Sequence, residues 1–250
     1  FFIIIFSDCN TVFSIAVKKN SKAERGRSKK DRARRLRGES KVEKSMYSVI
    51  LRDDLVEELD GVAFRNGVSR SVMLNKILAE YLDVETPEAQ IEKALEKAGQ
   101  MIRAVNGLRF INNASLAMAQ VQSALCYRYN PTLRYQIELF PAGDLGQLKI
   151  SLRSQNKELL KIMESFYAMF ISLEKKYVGE RQYFYEDGKF IRVFVRPENV
   201  SAEEAGEAVS DYIRMFDSCL KTYFSNLSDS PDRATETEYL QNLKKRKVIL

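Results

Sequence analysis

Apolar residues change their spacing several times along this chain, and each change marks a new element. Residues 46–51, MYSVIL, form a short β-branched and aromatic run that predicts a strand. Its alternation sets Tyr47, Val49 and Leu51 on an inward face and Met46, Ser48 and Ile50 on an outward one. Helical spacing follows at once: Leu55, Leu59, Val62 and Ala63 share one face, led in by Asp53 and Asp54, which suit a helix N-terminus. Asn66-Gly67 ends that helix, because glycine tolerates the left-handed conformation of a C-terminal cap. Ser69 then N-caps a second helix whose apolar face is Leu74, Ile77, Leu78, Tyr81 and Leu82.

Farther along, Ile91, Leu95, Ala98, Ile102 and Val105 recur at spacings of four and three, the pattern of a dimerisation seam. The phase slips at Asn106-Gly107 and resumes at Leu108, Ile111, Ser115, Met118, Gln122 and Leu125. Residues 87–129 are therefore expected to form one connecting helix or a helix pair. Residues 132–226 read as a duplication: strand, turn, strand, then helix, twice over. The expected product is an α+β domain with a four-stranded antiparallel sheet and its helices on one face. Alternation assigns Ile137, Leu139, Leu148, Ile150, Leu152, Ile191, Val193 and Val195 to the helix-covered face. The opposite face would then carry Lys149, Arg153, Phe190, Arg192, Phe194 and Arg196. Aromatics among arginines on an open face mark a candidate surface for a protein partner or a small ligand. Residues 227–250 are polar, turn-rich and finally basic, and are expected to be mobile.

Charge adds a second kind of information. The net charge is +6, yet residues 18–44 hold 13 Lys or Arg against four acids, or +9 in the arm alone. A mildly acidic body with a strongly basic arm points to a polyanionic partner. The arm, 18–45, lacks apolar periodicity, so disorder is its expected state. The opening run 1–17 is apolar but interrupted by Asp8 and Asn10, and it lacks a charged signal-peptide start. It reads as upstream sequence carried in the reading frame, with a signal anchor as the alternative. No membrane is expected to be a partner. Three well-separated cysteines, Cys9, Cys126 and Cys219, fit unpaired thiols in a reducing compartment.

The segment MYSVILRDDLVEELDGVAFRNGVSRSVMLNKILAEYL, within 46–84, resembles the ribbon–helix–helix family of DNA-binding proteins, the Arc, MetJ and CopG class. The resemblance implies a homodimer in which two such strands pair into a ribbon that enters the major groove. A lone six-residue strand needs a partner in any case. By the same resemblance Met46, Ser48 and Ile50 would face base edges. The family usually places polar side chains there, and of these three only Ser48 is polar. Ser69, Arg70 and Ser71 at the start of the second helix, with Lys44 in the arm, are candidates for phosphate contact.

The function implied is a sequence-specific transcriptional regulator, a repressor, bound to double-stranded DNA as a dimer or a higher-order array on DNA. It would work in the prokaryotic cytoplasm, on the nucleoid, with the C-terminal domain assembling subunits or sensing a ligand or partner. The alternative is an antitoxin or plasmid-maintenance protein whose C-terminal domain grips a protein. An enzyme is not expected: histidine is absent, and neither a clustered Asp/Glu motif nor a phosphate-cradling Gly loop is present. No catalytic residue, metal ligand or cofactor is assigned.

Overall fold

The computed structural model describes residues 50–112, 117–186 and 189–250. Helix α1, Asp53–Arg65, and helix α2, Arg70–Tyr81, form an antiparallel hairpin closed by Leu59, Ala63 and Met73. The turn between them follows the sequence closely: Asn66 caps α1, Gly67 takes φ +65°, and the Ser69 hydroxyl accepts from the Val72 N–H. Helix α3, Pro87–Arg103, starts with proline at its first turn and the Thr86 hydroxyl accepting from Ala89 N–H. Proline suits that position because its missing N–H has no intrahelical acceptor there.

Beyond Arg103 the expectation of a continued helix fails. Gly107 takes φ +86°, and the chain turns into strand β1, Leu108–Asn112, paired antiparallel with β2, Met118–Ala124. The residues buried in β2 are Ala119, Val121 and Ser123, a period of two. The three-and-four spacing from Leu108 to Leu125 coincided with a strand pattern, and the strand wins because Leu108 and Val121 reach the same core.

The duplicated units lie where the sequence places them. Strands β3, Thr132–Leu139, and β4, Gly146–Leu152, lead into helix α4, Lys157–Tyr177. Strands β5, Tyr183–Glu186, and β6, Lys189–Phe194, lead into helix α5, Ala202–Ser225. With the β1–β2 hairpin added, the sheet has six strands rather than four, ordered β1-β2-β3-β4-β6-β5 and antiparallel throughout. In this order the second strands of the two units are neighbours, as a twofold axis between β4 and β6 would place them.

The helices cover one face. Phe216 of α5 packs edge-on against Tyr135 of β3 and against Phe166 and Phe170 of α4. Helix α3 lies so close to α5 that a Cβ on Gly206 would meet the Ala94 carbonyl oxygen at 2.2 Å. The segment expected to be mobile from 227 onward is built in. It forms helix α6, Pro231–Leu243, whose Tyr239 is buried against Phe170 and Tyr177, and Leu250 is buried in the same core. Its polar residues misled because they line the outer side of α6 while Thr235 and Tyr239 turn inward. Among the described residues no helix is long and apolar enough to cross a membrane.

Candidate nucleic-acid interface

Only three side chains are buried in the α1–α2 hairpin, with Val62, Val68 and Leu74 partly buried against them, and several other apolar residues look outward. Leu55, Ile77, Leu78 and Leu82 are between 42% and 63% exposed, and Ile50, just before α1, is fully exposed. Of the face predicted from Leu74 to Leu82, Leu74 packs beside the buried Met73, while Ile77, Leu78, Tyr81 and Leu82 stay exposed among the described residues. No strand before Leu108 belongs to the described sheet. Lys76 and Glu92, at 3.2 Å, tie α2 to α3.

At the start of α2, Ser69 is the N-cap and Ser71 is exposed. The first-turn amides have no intrahelical acceptors and lie at the positive end of the helix dipole. Arg70 is not a free cation: its Nε donates to Asp60 Oδ1 at 2.6 Å and its Nη2 to Asp60 Oδ2. That fork clamps α2 to α1, holds the Asp60 carboxyl below its usual range and raises the guanidinium above its own. Any phosphate held here therefore meets backbone N–H groups and hydroxyls first, with Arg70 already matched. Met46, Ser48 and Lys44 lie outside the described residues.

The C-terminal surface corrects the sequence reading more sharply. Strand register pairs Phe190 with Ile150, Arg192 with Leu148 and Phe194 with Gly146, so all three face the helices. Phe190 stacks on Tyr167 at 4.5 Å, and Phe194 packs edge-on against Tyr212 at 5.1 Å. Ile191 and Val193 take the opposite face, and Val195 is half exposed beyond the strand. KFIRVFVR is apolar on both faces, so alternation alone could not orient it. The two rings carry more apolar surface than Ile191 and Val193, and they take the core.

Arg192 goes in with them, fully buried. Its Nη2 donates to Glu174 Oε1 at 3.2 Å and to the Leu250 carbonyl oxygen at 2.6 Å, and its Nη1 donates to the Val193 carbonyl oxygen. Tyr183 and Tyr212 donate to Glu174 Oε2 at 2.7 and 3.0 Å. Burial, helped by the neighbouring carboxylate, pushes both phenols up, so they stay protonated donors. Arg196 is also structural: its guanidinium donates to the carbonyls of Phe140, Gly143 and Asp144 and holds the β3–β4 turn. Lys149 pairs with Glu138 at 2.7 Å. Of the six residues assigned to an open binding face, Arg153 alone is an unpaired surface cation among the described residues.

Across β2, β3 and β4 the opposite face is mostly polar, while at β6 it holds the buried Ile191 and Val193. It presents Gln120, Gln122, Arg134, Gln136, Gln147, Lys149 and Ser151 in register across β2, β3 and β4. A cleft of about 810 Å³ at one end of this face is lined by Gln120, Arg134, Gln136, Ser151, Arg153 and Lys189, and reaches Tyr185 and Glu164. Sequence reasoning missed Arg134, although its alternation with Leu133 and Tyr135 placed it on the uncovered side. No family model, curated protein or solved structure matches the chain.

Proposed function

We propose that this protein is a DNA-binding transcriptional regulator, a repressor that reads the major groove with a ribbon–helix–helix dimer. The observation that carries the reading is the α1–α2 hairpin, whose residues Leu55, Ile77, Leu78 and Leu82 stay exposed among the described residues. A second copy would cover them. Its own hairpin would interlock with this face, and its MYSVIL segment would pair with the same segment of this chain. Leu55, Ile77, Leu78 and Leu82 are spaced to meet such a copy, and about 25 cal/mol per Å² of apolar surface favours the union. The basic arm, residues 18–44, supplies the non-specific attraction to phosphate. Met46, Ser48 and Ile50 read bases, and Ser69 and Ser71 position the dimer.

Ranked selection of DNA sites by the full chain tests this. Wild-type protein is expected to enrich a two-fold repeat, and Ser48→Ala or Ile50→Ala to change the enriched sequence. Deleting residues 18–44 should flatten the salt dependence of affinity, because fewer counterions are released. Failure to enrich any sequence, or identical sequences from the Ser48 and Ile50 variants, ends the proposal. The C-terminal domain is assigned the sensing or assembly role.

A further inference from the structure

The cleft at the end of the open sheet face combines features that the DNA reading does not use. Arg134, Arg153 and Lys189 line it and make no ion pair or side-chain hydrogen bond among the described residues. One carboxylate, Glu164, lines it as well, so the cations exceed the acids by two. Glu164 lies toward Tyr185, whose phenol is raised by partial burial and, after it, by the Glu164 charge. The Arg134 end is therefore the more positive. Between the cations stand the amides of Gln120, Gln136 and Gln155 and the hydroxyls of Ser151 and Ser154.

Several other cations of the domain are matched by acids. Lys149, Lys176, Arg192 and Lys221 each have a carboxylate within hydrogen-bond reach. Leaving three cations unmatched around one concavity costs self-repulsion, which an anionic occupant would relieve. The volume lies in the range of small-ligand sites, roughly 300–1,000 Å³. An extended single strand of nucleic acid fits less well. Strand binders stack bases on aromatic platforms, whereas the outward positions of β2, β3 and β4 carry no aromatic residue.

We propose that this cleft binds a phosphorylated small molecule of nucleotide size, with its phosphates on Arg134 and Arg153 and its polar body on the glutamine amides. Lys189 completes the charge at the β6 edge, and Tyr185 offers one ring for a flat group at the far end. The proposal gives the sensing role above a place and a chemistry, and it rests on that reading only for its regulatory meaning. Binding itself is measured without DNA, so the two ideas fail separately.

The experiment titrates the full-length protein with adenosine diphosphate and, separately, with inorganic pyrophosphate, by calorimetry at physiological salt. One saturable site per chain is expected for the nucleotide. Arg134→Glu and Arg153→Glu should each weaken it at least about tenfold, the scale of one lost charge-assisted hydrogen bond. Arg52→Glu, on the exposed approach to α1, serves as the control and should leave it unchanged. Hydrogen exchange of the wild-type protein supplies a readout independent of the variants: bound nucleotide should slow exchange in residues 132–136 and 151–155. Absence of saturable binding by both probes at millimolar concentration overturns the proposal. So does binding that survives both glutamate changes, which would place the anion on the basic arm. A single-stranded oligothymidylate that binds more tightly than the nucleotide, with the same dependence on Arg134 and Arg153, overturns it in favour of a nucleic-acid groove.

Discussion

The hairpin of α1 and α2 and the sheet domain behind it solve the same problem to very different degrees. Each sorts apolar from polar residues by helical or alternating period. The hairpin buries three apolar residues, whereas the sheet domain joins 36 buried residues into one cluster. Apolar burial is the chief favourable term in folding, and it must offset an ordering cost of about 1–2 kcal/mol per residue. Three buried side chains, with Val62, Val68 and Leu74 partly buried beside them, offset little of the ordering of two helices. The sheet domain also encloses an ionic pair, Arg192 with Glu174, within that core. The comparison teaches that an exposed apolar stripe means different things in the two places. Under the proposed dimer the hairpin's stripe is a docking face, whereas the exposed apolar residues of the sheet domain are scattered.

The largest expected effect breaks the sheet domain from inside. Glu174→Ala leaves the Arg192 guanidinium buried without its carboxylate and removes the acceptor of Tyr183 and Tyr212. Such an uncompensated buried charge costs about 3–5 kcal/mol, and urea unfolding followed by circular dichroism should show it. Replacing both partners, Glu174→Leu with Arg192→Met, should recover most of the loss. If the single change shifts stability by less than about 1 kcal/mol, the pair is not holding the domain.

A change on the hairpin should act by a different route. Leu78 is 47% exposed, so within one chain an aspartate there meets water and costs little. Against a second copy the same aspartate would be buried unpaired, at about 2–4 kcal/mol. Leu78→Asp is therefore expected to dissociate the dimer in sedimentation runs and expose residues 46–84 to protease, while the urea transition of the sheet domain stays put. A monomeric wild-type protein, or a dimer indifferent to the aspartate, would remove the distinction between the two regions.

Packing at the α3–α5 contact comes next in size. Gly206→Val forces a side chain toward the Ala94 carbonyl oxygen, where even a Cβ would approach to 2.2 Å. Overpacking of this kind costs about 1–3 kcal/mol, and a thermal melt reads it directly. An unchanged melting temperature would mean that α3 slides freely on α5.

How far the sequence revealed all this depends on whether one signal or two competed at each place. The hairpin was legible because its cues are local: Ser69, Gly67 and the helical spacing each act within a turn. The two β-β-α units were legible for the same reason, with strand alternation and caps such as Ser201 and Asn156 beside their own helices. Residues 108–124 were not, since Leu108, Ile111 and Leu125 satisfy a helical period while Ala119, Val121 and Ser123 satisfy a strand. Only contact with the core decides between them. KFIRVFVR failed similarly, because both its faces are apolar and the partner that lets Arg192 be buried, Glu174, is on another element. The cleft was half legible: Arg153 was singled out, but Arg134 gains meaning only when β3 and β4 pair.

The smallest expected effect compares one lowered carboxyl from each region. Asp60 on the hairpin is held below its usual range chiefly by the side-chain hydrogen bond from Arg70. Glu204 in the sheet domain is held low chiefly by the backbone N–H of Ser201, within a capping box. For both, the folded-state pKa is depressed, so each contributes stability above the ordinary carboxylate pKa. That contribution is lost as pH falls through the lowered folded value. The causes predict different responses to salt. Arg70 and Asp60 are both exposed, and the hold of the cation on the carboxyl should weaken as screening rises. The Ser201 amide is fixed at a helix start and carries no net charge, so Glu204 should stay low. Carboxyl-carbon NMR titrations at low and high salt check this. The Asp60 midpoint should climb toward its ordinary value with salt and in Arg70→Gln, while the Glu204 midpoint moves little. Equal salt shifts at the two sites would show that the hairpin's ion pair and the domain's cap are electrostatically alike, and that the Asp60–Arg70 clamp is as rigid as a backbone contact.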